Sequence, residues 1–589
     1  MKISRTWLQN YFAQPLPEAQ ALVDALTFHA FEIEGVDGDI LDVKVTPNRG
    51  HDCLSHRGIA KELSAILGLA MKGDPLRVPL PEFPIAVEMT VDAARAPVGA
   101  AAYVRGVTIA PSPQWLKSAL ESVGQRSINN VVDATNYVMF DMGMPTHAFS
   151  ADTFKLGDTV RYGIRSSEKG EQLALLGGLA VELSGHEAVI VNASNEPVDI
   201  GGVKGGMRAE LQEYTHDVVL SASKFEPVQT RKAAQRFNQR TEAAKRFENE
   251  MADECALYGI RAVAELVRDV AGGEIIGYGI ERARTPASRS VSVSLTKINA
   301  VLGTKLGETD VADVLKRLDL PHQQTEEEFI VTVPFERLDL VIAEDIIEEV
   351  ARMVGYEKIP VVELPAFPTK PEVNTTFYAA EKMREELMAQ GFSEVFTSVF
   401  ADKGERVVAN KVDGVRPYLR ATLTTGLQDA LERNAHNKEL LGLKEVKLFE
   451  IGTVWSGGKE LMMVGTIGEK EQASEKPLES TDAAAYNDLP ISTLVRYKTF
   501  SKFPSIVRDI ALWVPAATTP EEVLAVIRAQ AGELLVRSEK FDEFKKGEKT
   551  SYAFRLVFQS FDKTLTDEEA NAVMEKIYAA VKEKAWEVR

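Results

Sequence analysis

The alternation of helix and strand patterns changes its character several times along this chain, and that succession limits the architecture more than any single motif. At 589 residues the chain is too long to bury its apolar side chains in one core, so we expect roughly three to five domains. Its composition, with 45% hydrophobic and 26% charged residues, is that of a globular protein. The sequence predicts a multidomain α+β chain.

Charge, hydropathy and cysteine content exclude several classes of protein. A formal net charge of -19 argues against a protein that coats nucleic acid through its overall field. No apolar run approaches the roughly 20 residues that span a bilayer, and the N-terminus lacks the apolar core of a signal peptide. Cys53 and Cys255 cannot make a disulfide framework and lack the spacing of metal ligands. We expect a cytoplasmic protein with no membrane partner.

A local cluster of basic residues recurs at helical spacing between residues 231 and 246. Its members are Arg231, Lys232, Arg236, Arg240, Lys245 and Arg246. A nucleic-acid role in so acidic a chain would need a cluster of this kind. Two interpretations stay open, a surface that binds nucleic acid and an ordinary solvated helix face.

Residues 131–149 place a hydroxyl, an amide and an imidazole near one helix end. The pattern predicts a helix from 131 to 142 that stops at Gly143. Pro145 then forces a turn that can bring His147 back toward the helix. Thr135, Asn136 and His147 can thus line one pocket and bind a small polar ligand. The alternative is a satisfied core histidine beside a capped helix.

This run resembles the editing-pocket signature of the beta subunit of bacterial phenylalanine–tRNA ligase. In that family the Thr-Asn pair and a histidine twelve positions later face mischarged tyrosine, which implies the same role for Thr135, Asn136 and His147. The loop at 201–206, Gly-Gly-Val-Lys-Gly-Gly, permits close backbone approach to a ligand and matches the family's glycine loop through Gly202. Members usually carry glutamate nineteen positions later, where this chain has Ser221. The resemblance implies a pocket that persists with weakened tyrosine discrimination.

A predicted helix from about 340 to 354 carries carboxylates opposite its apolar stripe. Asp345, Glu348 and Glu349 are spaced i, i+3, i+4, and Asp339 lies just before them. Oxygen-only clusters suit a hard divalent cation such as Mg²⁺, although a solvated acidic face explains the same pattern. The stretch resembles the family's magnesium-binding segment, shared with the alpha subunit. The resemblance implies that Asp339, Asp345, Glu348 and Glu349 are ligands of Mg²⁺.

The resemblance covers nearly the whole chain and implies five domains. They are an N-terminal domain at 1–88, an editing-type domain at 89–285, a winged-helix-like module at 286–360, a degenerate class II synthetase-like domain at 361–497 and a ferredoxin-like anticodon-binding domain at 498–589. Residues 31–40 directly connect the two segments between which most bacterial members of the family carry an inserted oligonucleotide-binding barrel. In the last domain two capping boxes, at Thr519 and Thr566, mark the helix starts of a split β-α-β pattern.

The function implied by the resemblance is that of a non-catalytic beta subunit. It would pair with an alpha subunit, two alpha with two beta chains, and support ATP-dependent attachment of phenylalanine to its tRNA. No arginine–carboxylate pair placed to bind ATP is recognised in the synthetase-like region. An alternative is a non-catalytic paralogue that binds tRNA or a protein partner. A DNA-binding regulator is poorly supported, because the winged module shows no basic recognition helix.

Overall fold

The computed structural model describes residues 1–283, 288–325, 328–366, 372–410, 415–482 and 499–589. The chain divides into two compact units, Met1–Leu364 and Pro365–Arg589, and each is described by itself. Within the described ranges, no helix combines the length and the apolar character needed to cross a membrane.

The first unit begins with a small antiparallel sheet in the order β1-β3-β2, packed on two longer helices. The elements are β1 Lys2–Ser4, α1 Arg5–Leu8, α2 Ala19–His29, β2 Ile33–Asp37, β3 Ile40–Val43, α3 Gly50–Cys53 and α4 His56–Leu67. Strands β2 and β3 form a hairpin that turns at Gly38, whose φ of 57° favours glycine. The two strands are therefore joined directly, at the place where the sequence predicts no inserted barrel.

The middle of the first unit is built on two sheets that enclose its largest apolar core. Its elements are β4 Val87–Val91, β5 Val98–Arg105, α5 Gln114–Ser122, α6 Asn130–Met142, β6 His147–Ser150, β7 Lys155–Leu156, β8 Thr159–Ser166, β9 Gln172–Ala174, β10 Ala180–Glu182, β11 Ala188–Val191, β12 Pro197–Ile200, β13 Lys204–Gly205, β14 Asp217–Ser221, α7 Pro227–Arg236, α8 Glu242–Glu248, α9 Cys255–Ala271 and β15 Glu274–Arg282. One sheet has the order β15-β5-β14-β6 and the other β13-β12-β11-β8-β4, while β7 pairs with β8 and β9 with β10. Helix α6 packs against α9 and against β6, which in turn pairs with β14.

The last part of the first unit has its own core around a three-stranded sheet in the order β16-β18-β17. Its elements are β16 Arg289–Ser294, α10 Leu295–Leu302, α11 Glu308–Arg317, β17 His322–Gln324, β18 Glu328–Val333 and α12 Ala343–Val354. The sequence predicts helix, helix, two strands and helix for this part; these elements are present, but strand β16, which precedes the first helix and pairs with β18, was not predicted. Ala65 of α4 also belongs to this core, so the first and last parts of the unit share apolar packing.

The second unit opens with a mixed sheet in the order β19-β23-β24-β25 and a smaller one in the order β20-β22-β21. Its elements are α13 Thr375–Ala389, β19 Ser393–Glu394, β20 Phe400–Ala401, β21 Arg406–Val407, β22 Tyr418–Leu419, α14 Thr424–Ala435, α15 Lys438–Leu441, β23 Lys447–Ser456, β24 Lys459–Gly468 and β25 Glu471–Pro477. The residue pattern of 395–400 predicts a single strand there, which is wrong, because β19 ends before this range, β20 begins at its last residue, and the two strands join different sheets. Parts of the expected linker (367–371) and of the polar stretch (483–488) lie outside the described residues.

The C-terminal part of the second unit is an antiparallel sheet in the order β27-β28-β26-β29 covered by two helices. Its elements are β26 Ile506–Pro515, α16 Pro520–Ala531, β27 Leu535–Lys546, β28 Lys549–Phe558, α17 Asp567–Glu583 and β29 Glu587–Val588. Both predicted capping boxes are present, with Thr519 and Thr566 accepting hydrogen bonds from the third residue of each helix. The order of strands and helices is ferredoxin-like, as the sequence predicts.

Candidate functional site

The segment singled out in the sequence folds as a helix, a sharp stop and a returning strand. The side chain of Asn129 caps the start of α6, and Gly143 ends the helix in a left-handed conformation with φ 88°. The chain then turns through Pro145 into β6, where His147 lies opposite Ser221 of β14. The predicted return of the histidine toward the helix is confirmed.

A cavity of about 70 Å³ opens at this point, and it is lined from both sheets of the middle part. Three of the five predicted pocket residues, His147, Gly202 and Ser221, line the cavity. Two aromatic side chains, Phe225 and Phe247, form part of its wall and meet edge to face with 5.3 Å between ring centroids. The cavity thus combines an aromatic wall with a few polar groups, which is typical of a ligand site.

The other two predicted residues, Thr135 and Asn136, lie on α6 and do not line the cavity. Thr135 is buried, and its hydroxyl donates to the carbonyl of Val132 at 2.6 Å within the same helix. The carbonyl of Thr135 accepts from Thr146, which does line the cavity, at 3.0 Å. In this conformation Thr135 therefore supports the pocket wall, because its own hydroxyl is already engaged.

His147 is an uncharged imidazole near neutral pH. Desolvation lowers its pKa to about 4. The ring contacts Phe149 edge to face at 4.6 Å, and it also lies close to the backbone of Gly205. A Cβ added to Gly205 would stand 2.7 Å from Nε2 of His147, so only glycine leaves room for the imidazole there.

The glycine loop is explained by close packing as well as by ligand approach. A Cβ on Gly201 would lie 2.3 Å from the ring of Phe225. Gly202 has φ +76°, a conformation that side chains rarely adopt, and its own Cβ would crowd Phe225 and Phe247 at 3.1 Å. Glycines at both positions therefore let the aromatic wall approach the loop.

The hydroxyl of Ser221 is held by a tyrosine that sequence reasoning missed. Tyr162 of β8 is fully buried, and its Oη lies 2.7 Å from Oγ of Ser221 and 3.3 Å from Oγ of Ser223. Burial raises the pKa of Tyr162 well above its ordinary range, so the phenol remains protonated. The sequence signal is weak, since Tyr162 is simply one inward position of an alternating strand.

A second missed residue is Asp199 of β12, whose side chain lines the same cavity. It is only 4% exposed, and burial raises its pKa to about 7. Among the residues that the structure describes, none forms a hydrogen bond or an ion pair with this carboxyl group. The signal in the sequence is an acid inside the otherwise apolar strand Pro197–Ile200, directly before the glycine loop.

The predicted metal ligands on and before α12 are held apart by arginines. Glu349 is buried and accepts from Arg337 at 3.0 Å and from Arg352 at 2.7 Å. Asp339 accepts from Arg337 at 2.6 Å and lies 3.0 Å from Nε2 of His51. The alternative interpretation, a solvated acidic face, does not hold for Glu349, because Arg337 from outside the helix and Arg352 from the same helix pair with it in the interior.

The remaining two carboxylates face outward. Asp345 caps the start of α12, its Oδ2 accepting from the backbone amides of Val341 and Ile342 at 2.7 Å each. Glu348 is exposed. The four predicted ligands are therefore not gathered around one point by this chain alone, and two of them are already neutralised by guanidinium groups.

Over the described ranges, one group of metal-binding side chains does come together, formed by Asp52, Cys53 and Glu62. Arg49 donates to all three, at 2.7 Å to each carboxylate and 3.2 Å to the sulfur. The place of a cation is thus taken by a guanidinium, and these residues do not fit a metal ion.

The basic cluster does not form one helix face, because three of its members lie on α7, two on α8, and Arg240 in the connection between these helices. Arg246 is buried; it donates to Glu242 at 2.7 Å and lies over the ring of Phe140 at 4.8 Å. A single basic face including Arg246 is therefore a wrong prediction. The other five residues, Arg231, Lys232, Arg236, Arg240 and Lys245, are exposed.

Four domain families match the chain in succession. They are the B3/4 domain over residues 95–272, the tRNA synthetase B5 domain over 291–356, the phenylalanyl tRNA synthetase beta chain CLM domain over 359–488 and the ferredoxin-fold anticodon binding domain over 501–589.

Similar proteins match over almost the whole chain. The phenylalanine–tRNA ligase beta subunit of Streptococcus pneumoniae is 30% identical over 94% of this chain and 80% of its own length. That of Streptococcus thermophilus is 29% identical over 97% and 82%, and that of Geobacillus kaustophilus 29% over 94% and 80%. A solved N-terminal fragment of the phenylalanyl-tRNA synthetase beta subunit from Pyrococcus horikoshii covers 60% of this chain and 99% of its own, but 13% identity and a TM-score of 0.35 carry no argument.

The succession of a B3/4 domain, a B5 domain and a ferredoxin-fold anticodon-binding domain defines a subunit of an aminoacyl-tRNA ligase. The 30% identity to a phenylalanine–tRNA ligase beta subunit along the chain narrows the assignment to one family. The chain belongs to the phenylalanine–tRNA ligase beta-subunit family, and the resemblance found in the sequence is confirmed.

Proposed function

We propose that this chain supports the ATP-dependent attachment of phenylalanine to its tRNA in the cytoplasm, in an assembly of two alpha and two beta subunits. Amino-acid activation resides on the alpha subunit. The exposed basic residues of α7 and α8 are candidates for contact with the tRNA. We further propose the five domain boundaries given above, with 286–360 winged-helix-like and 361–497 a degenerate class II synthetase-like domain.

A second activity, removal of tyrosine from mischarged tRNA, is supported by the cavity that His147, Gly202 and Ser221 line together. Proofreading is useful here because a hydrophobic pocket rejects an isostere with one extra hydroxyl by only about 10²-fold. In deacylation, water adds to the ester carbon, and free tyrosine and the 3′ hydroxyl of the tRNA are released. Thr135 and Asn136 act from behind the wall in this proposal.

His147 is suited to orient groups in the cavity rather than to abstract a proton. A pKa of about 4 makes its imidazole a weak base at neutral pH, where general bases work best with a pKa near 7. The neutral ring still offers one donor and one acceptor. We assign it to holding the ester or the attacking water in place.

Ser221 limits the strength of tyrosine recognition. A hydroxyl–hydroxyl bond contributes only about 0.5–1.5 kcal/mol net, and a charge-assisted bond about twice as much. The Ser221 hydroxyl is also already bonded to Tyr162 at 2.7 Å. We therefore expect deacylation of tyrosyl-tRNA that is weaker than a glutamate at position 221 would support.

The test compares the native chain with Ser221→Glu after assembly with the alpha subunit. Deacylation of tyrosyl-tRNA should rise in the variant by about tenfold, while charging with phenylalanine should stay unchanged. Ser194→Glu, in an exposed turn, adds the same charge away from the cavity and serves as the control. Efficient clearance by the native enzyme with no gain in Ser221→Glu would contradict the proposal.

Magnesium binding is proposed at the interface with the alpha subunit, through the outward carboxylates Asp345 and Glu348. Mg²⁺ keeps several waters and needs only one or two protein carboxylates, which is what this surface offers. Asp339 and Glu349 face arginines in this chain, so we propose that their part is to fix α12. They become direct ligands only if the alpha subunit draws Arg337 away.

A further inference from the structure

We propose that Asp199 is the residue of the cavity that recognises a phenolic hydroxyl and so selects tyrosyl over phenylalanyl groups. This inference rests on the proposed editing function of the cavity. It goes further by naming a carboxyl group, on a strand that the sequence motif does not include, as the specificity determinant.

The first support is the position of Asp199. Strand β12 lies between β11 and β13, where Asp199 is paired with Ile190 on one side and with Gly205 on the other. Its side chain lines the cavity together with His147 and Ser221, which belong to the other sheet. A ligand in this cavity would therefore meet Asp199 from one sheet and His147 from the other.

The second support is the missing partner of this carboxyl group. A buried polar group without a hydrogen bond costs on the order of 1–3 kcal/mol, and an ionised one more. Two nearby side chains have partners of their own: Tyr162 is bonded to Ser221 and Ser223, and Lys204 donates to Gln239 at 3.0 Å. A donor supplied by a ligand would remove this cost.

The walls of the cavity indicate what kind of donor fits. Phe225, Phe247 and Ile190 offer apolar surface to a ring, and Asp199 offers an acceptor to a hydroxyl on that ring. A cavity of about 150 Å³ holds benzene, whereas this one measures about 70 Å³. A phenol ring therefore fits only after side chains of the wall move.

The experiment measures deacylation of tyrosyl-tRNA and phenylalanyl-tRNA by the enzyme assembled with its alpha subunit. Asp199→Asn keeps the size of the side chain but removes its charge, so the preference for tyrosyl-tRNA in kcat/KM should fall about ten- to hundredfold. The double variant Asp199→Asn with Ser221→Glu should recover the preference, because a carboxylate returns to the cavity. Asp158→Asn, in the exposed turn between β7 and β8, is the charge-matched control.

Two outcomes separate this inference from the editing proposal. An unchanged tyrosyl preference in Asp199→Asn overturns the inference, even if the native enzyme edits well. If the native enzyme does not deacylate at all, binding of non-hydrolysable tyrosyl and phenylalanyl amides of 3′-amino-adenosine decides instead. If the native enzyme prefers the tyrosyl amide and Asp199→Asn loses this preference, the role of Asp199 is supported although the editing proposal fails. If the native enzyme binds both amides equally, the role of Asp199 is overturned.

Discussion

Burial sets the charge of two ionisable side chains in the cavity, and both shifts favour the neutral form. It lowers the pKa of His147 to about 4 and raises that of Asp199 to about 7. Near neutral pH the cavity thus holds an uncharged imidazole and a carboxyl group that is about half ionised. Perturbed groups of this kind cluster at functional sites, which agrees with the roles proposed for them.

Asp199 should make the stability of the chain depend on pH. An acid with a raised folded-state pKa holds its proton more tightly in the folded chain, so stability falls as the pH rises from about 4 to about 7. The ionisable groups facing it are Tyr162 of β8, His147 of β6 and Lys204 of β13. Relative to the native chain, Asp199→Asn should gain about 2 kcal/mol between pH 5 and pH 8.

Chemical denaturation of both proteins at several pH values measures this difference. Asp158→Asn should show a constant difference from the native chain, since Asp158 is exposed. A constant difference for Asp199→Asn as well would mean that its carboxyl group ionises normally.

Gly205 offers a second test at the residue scale. In Gly205→Ala the new Cβ would come within 2.7 Å of Nε2 of His147, so the ring must move. A displacement of about 1 Å can lower a rate about 100-fold, and we expect such a loss in tyrosyl-tRNA deacylation with unchanged phenylalanine charging. Gly73→Ala, which meets nothing within 4 Å, is the control, and an equal effect of both variants would refute a role for His147.

At the scale of elements, α12 owes its placement to ion pairs that cross the first unit. Arg352 of α12 donates to Glu62 of α4 at 2.6 Å and to Glu349 of its own helix at 2.7 Å. The arginines around Glu349 hold the pKa of its carboxyl group well below the ordinary range, despite its burial. Its stabilising contribution is therefore present above a pH of about 4.5 and is lost as the pH falls further.

Substitutions of two neighbouring glutamates should separate structure from metal binding. Glu349→Gln leaves Arg337 and Arg352 with one counter-charge fewer in the interior, and we expect about 3 kcal/mol of lost stability in the isolated chain. Glu348→Gln should leave the melting temperature unchanged and raise the Mg²⁺ concentration needed for assembly or charging. Thermal melts and a magnesium titration measure the two effects; identical titrations for Glu348→Gln and the native chain would exclude Glu348 as a ligand.

Elements with strong local signals were predictable from the sequence, and contacts between distant segments were not. The predicted end of α6 at Gly143 and the predicted starts of α16 and α17 after Thr519 and Thr566 agree with the structure, because a terminal glycine or a capping residue marks each of them. The predicted return of His147 also holds, since a glycine stop and Pro145 determine it locally. Glu349 was misplaced because its partner Arg337 lies outside the helix, where helical spacing carries no information.

The residues of the cavity show the same limit of prediction from the sequence. His147, Gly202 and Ser221 could be found from the sequence because they lie in recognisable motifs, and the structure brings them together. Asp199 could not, since its significance depends on the second sheet that folds over β14. Thr135 was identified as near the pocket, but only the structure shows its hydroxyl turned to the carbonyl of Val132.

At the scale of the whole molecule, the part of the second unit that matches the CLM domain family is built more like a scaffold than like a catalytic site. Its buried arginine, Arg420, is paired with Glu450 at 2.7 Å and donates to the carbonyl of Thr453 at 2.9 Å. Because its guanidinium group is already hydrogen-bonded within the protein, Arg420 is not available to bind a phosphate. The arrangement agrees with activation by the alpha subunit.

The chain alone should neither activate phenylalanine nor charge tRNA. We expect no ATP–pyrophosphate exchange and no phenylalanyl-tRNA from the purified chain, and both activities after the alpha subunit is added. A control with the alpha subunit alone shows which step needs the assembly. Exchange of pyrophosphate by the single chain would place a catalytic site here after all.

The ion pairs that cross the first unit also determine when it can finish folding during synthesis. Glu62 can form its ion pair only after Arg352, 290 residues further along the chain, has been synthesised. The carbonyl of Ala65, near the end of α4, likewise accepts its hydrogen bond only after Arg317 has been synthesised. At about 5–20 residues per second, the ribosome needs about 15 to 60 s after Glu62 to deliver Arg352. The N-terminal segment therefore leaves the ribosome well before its packing is complete, and its final consolidation accompanies the emergence of α12.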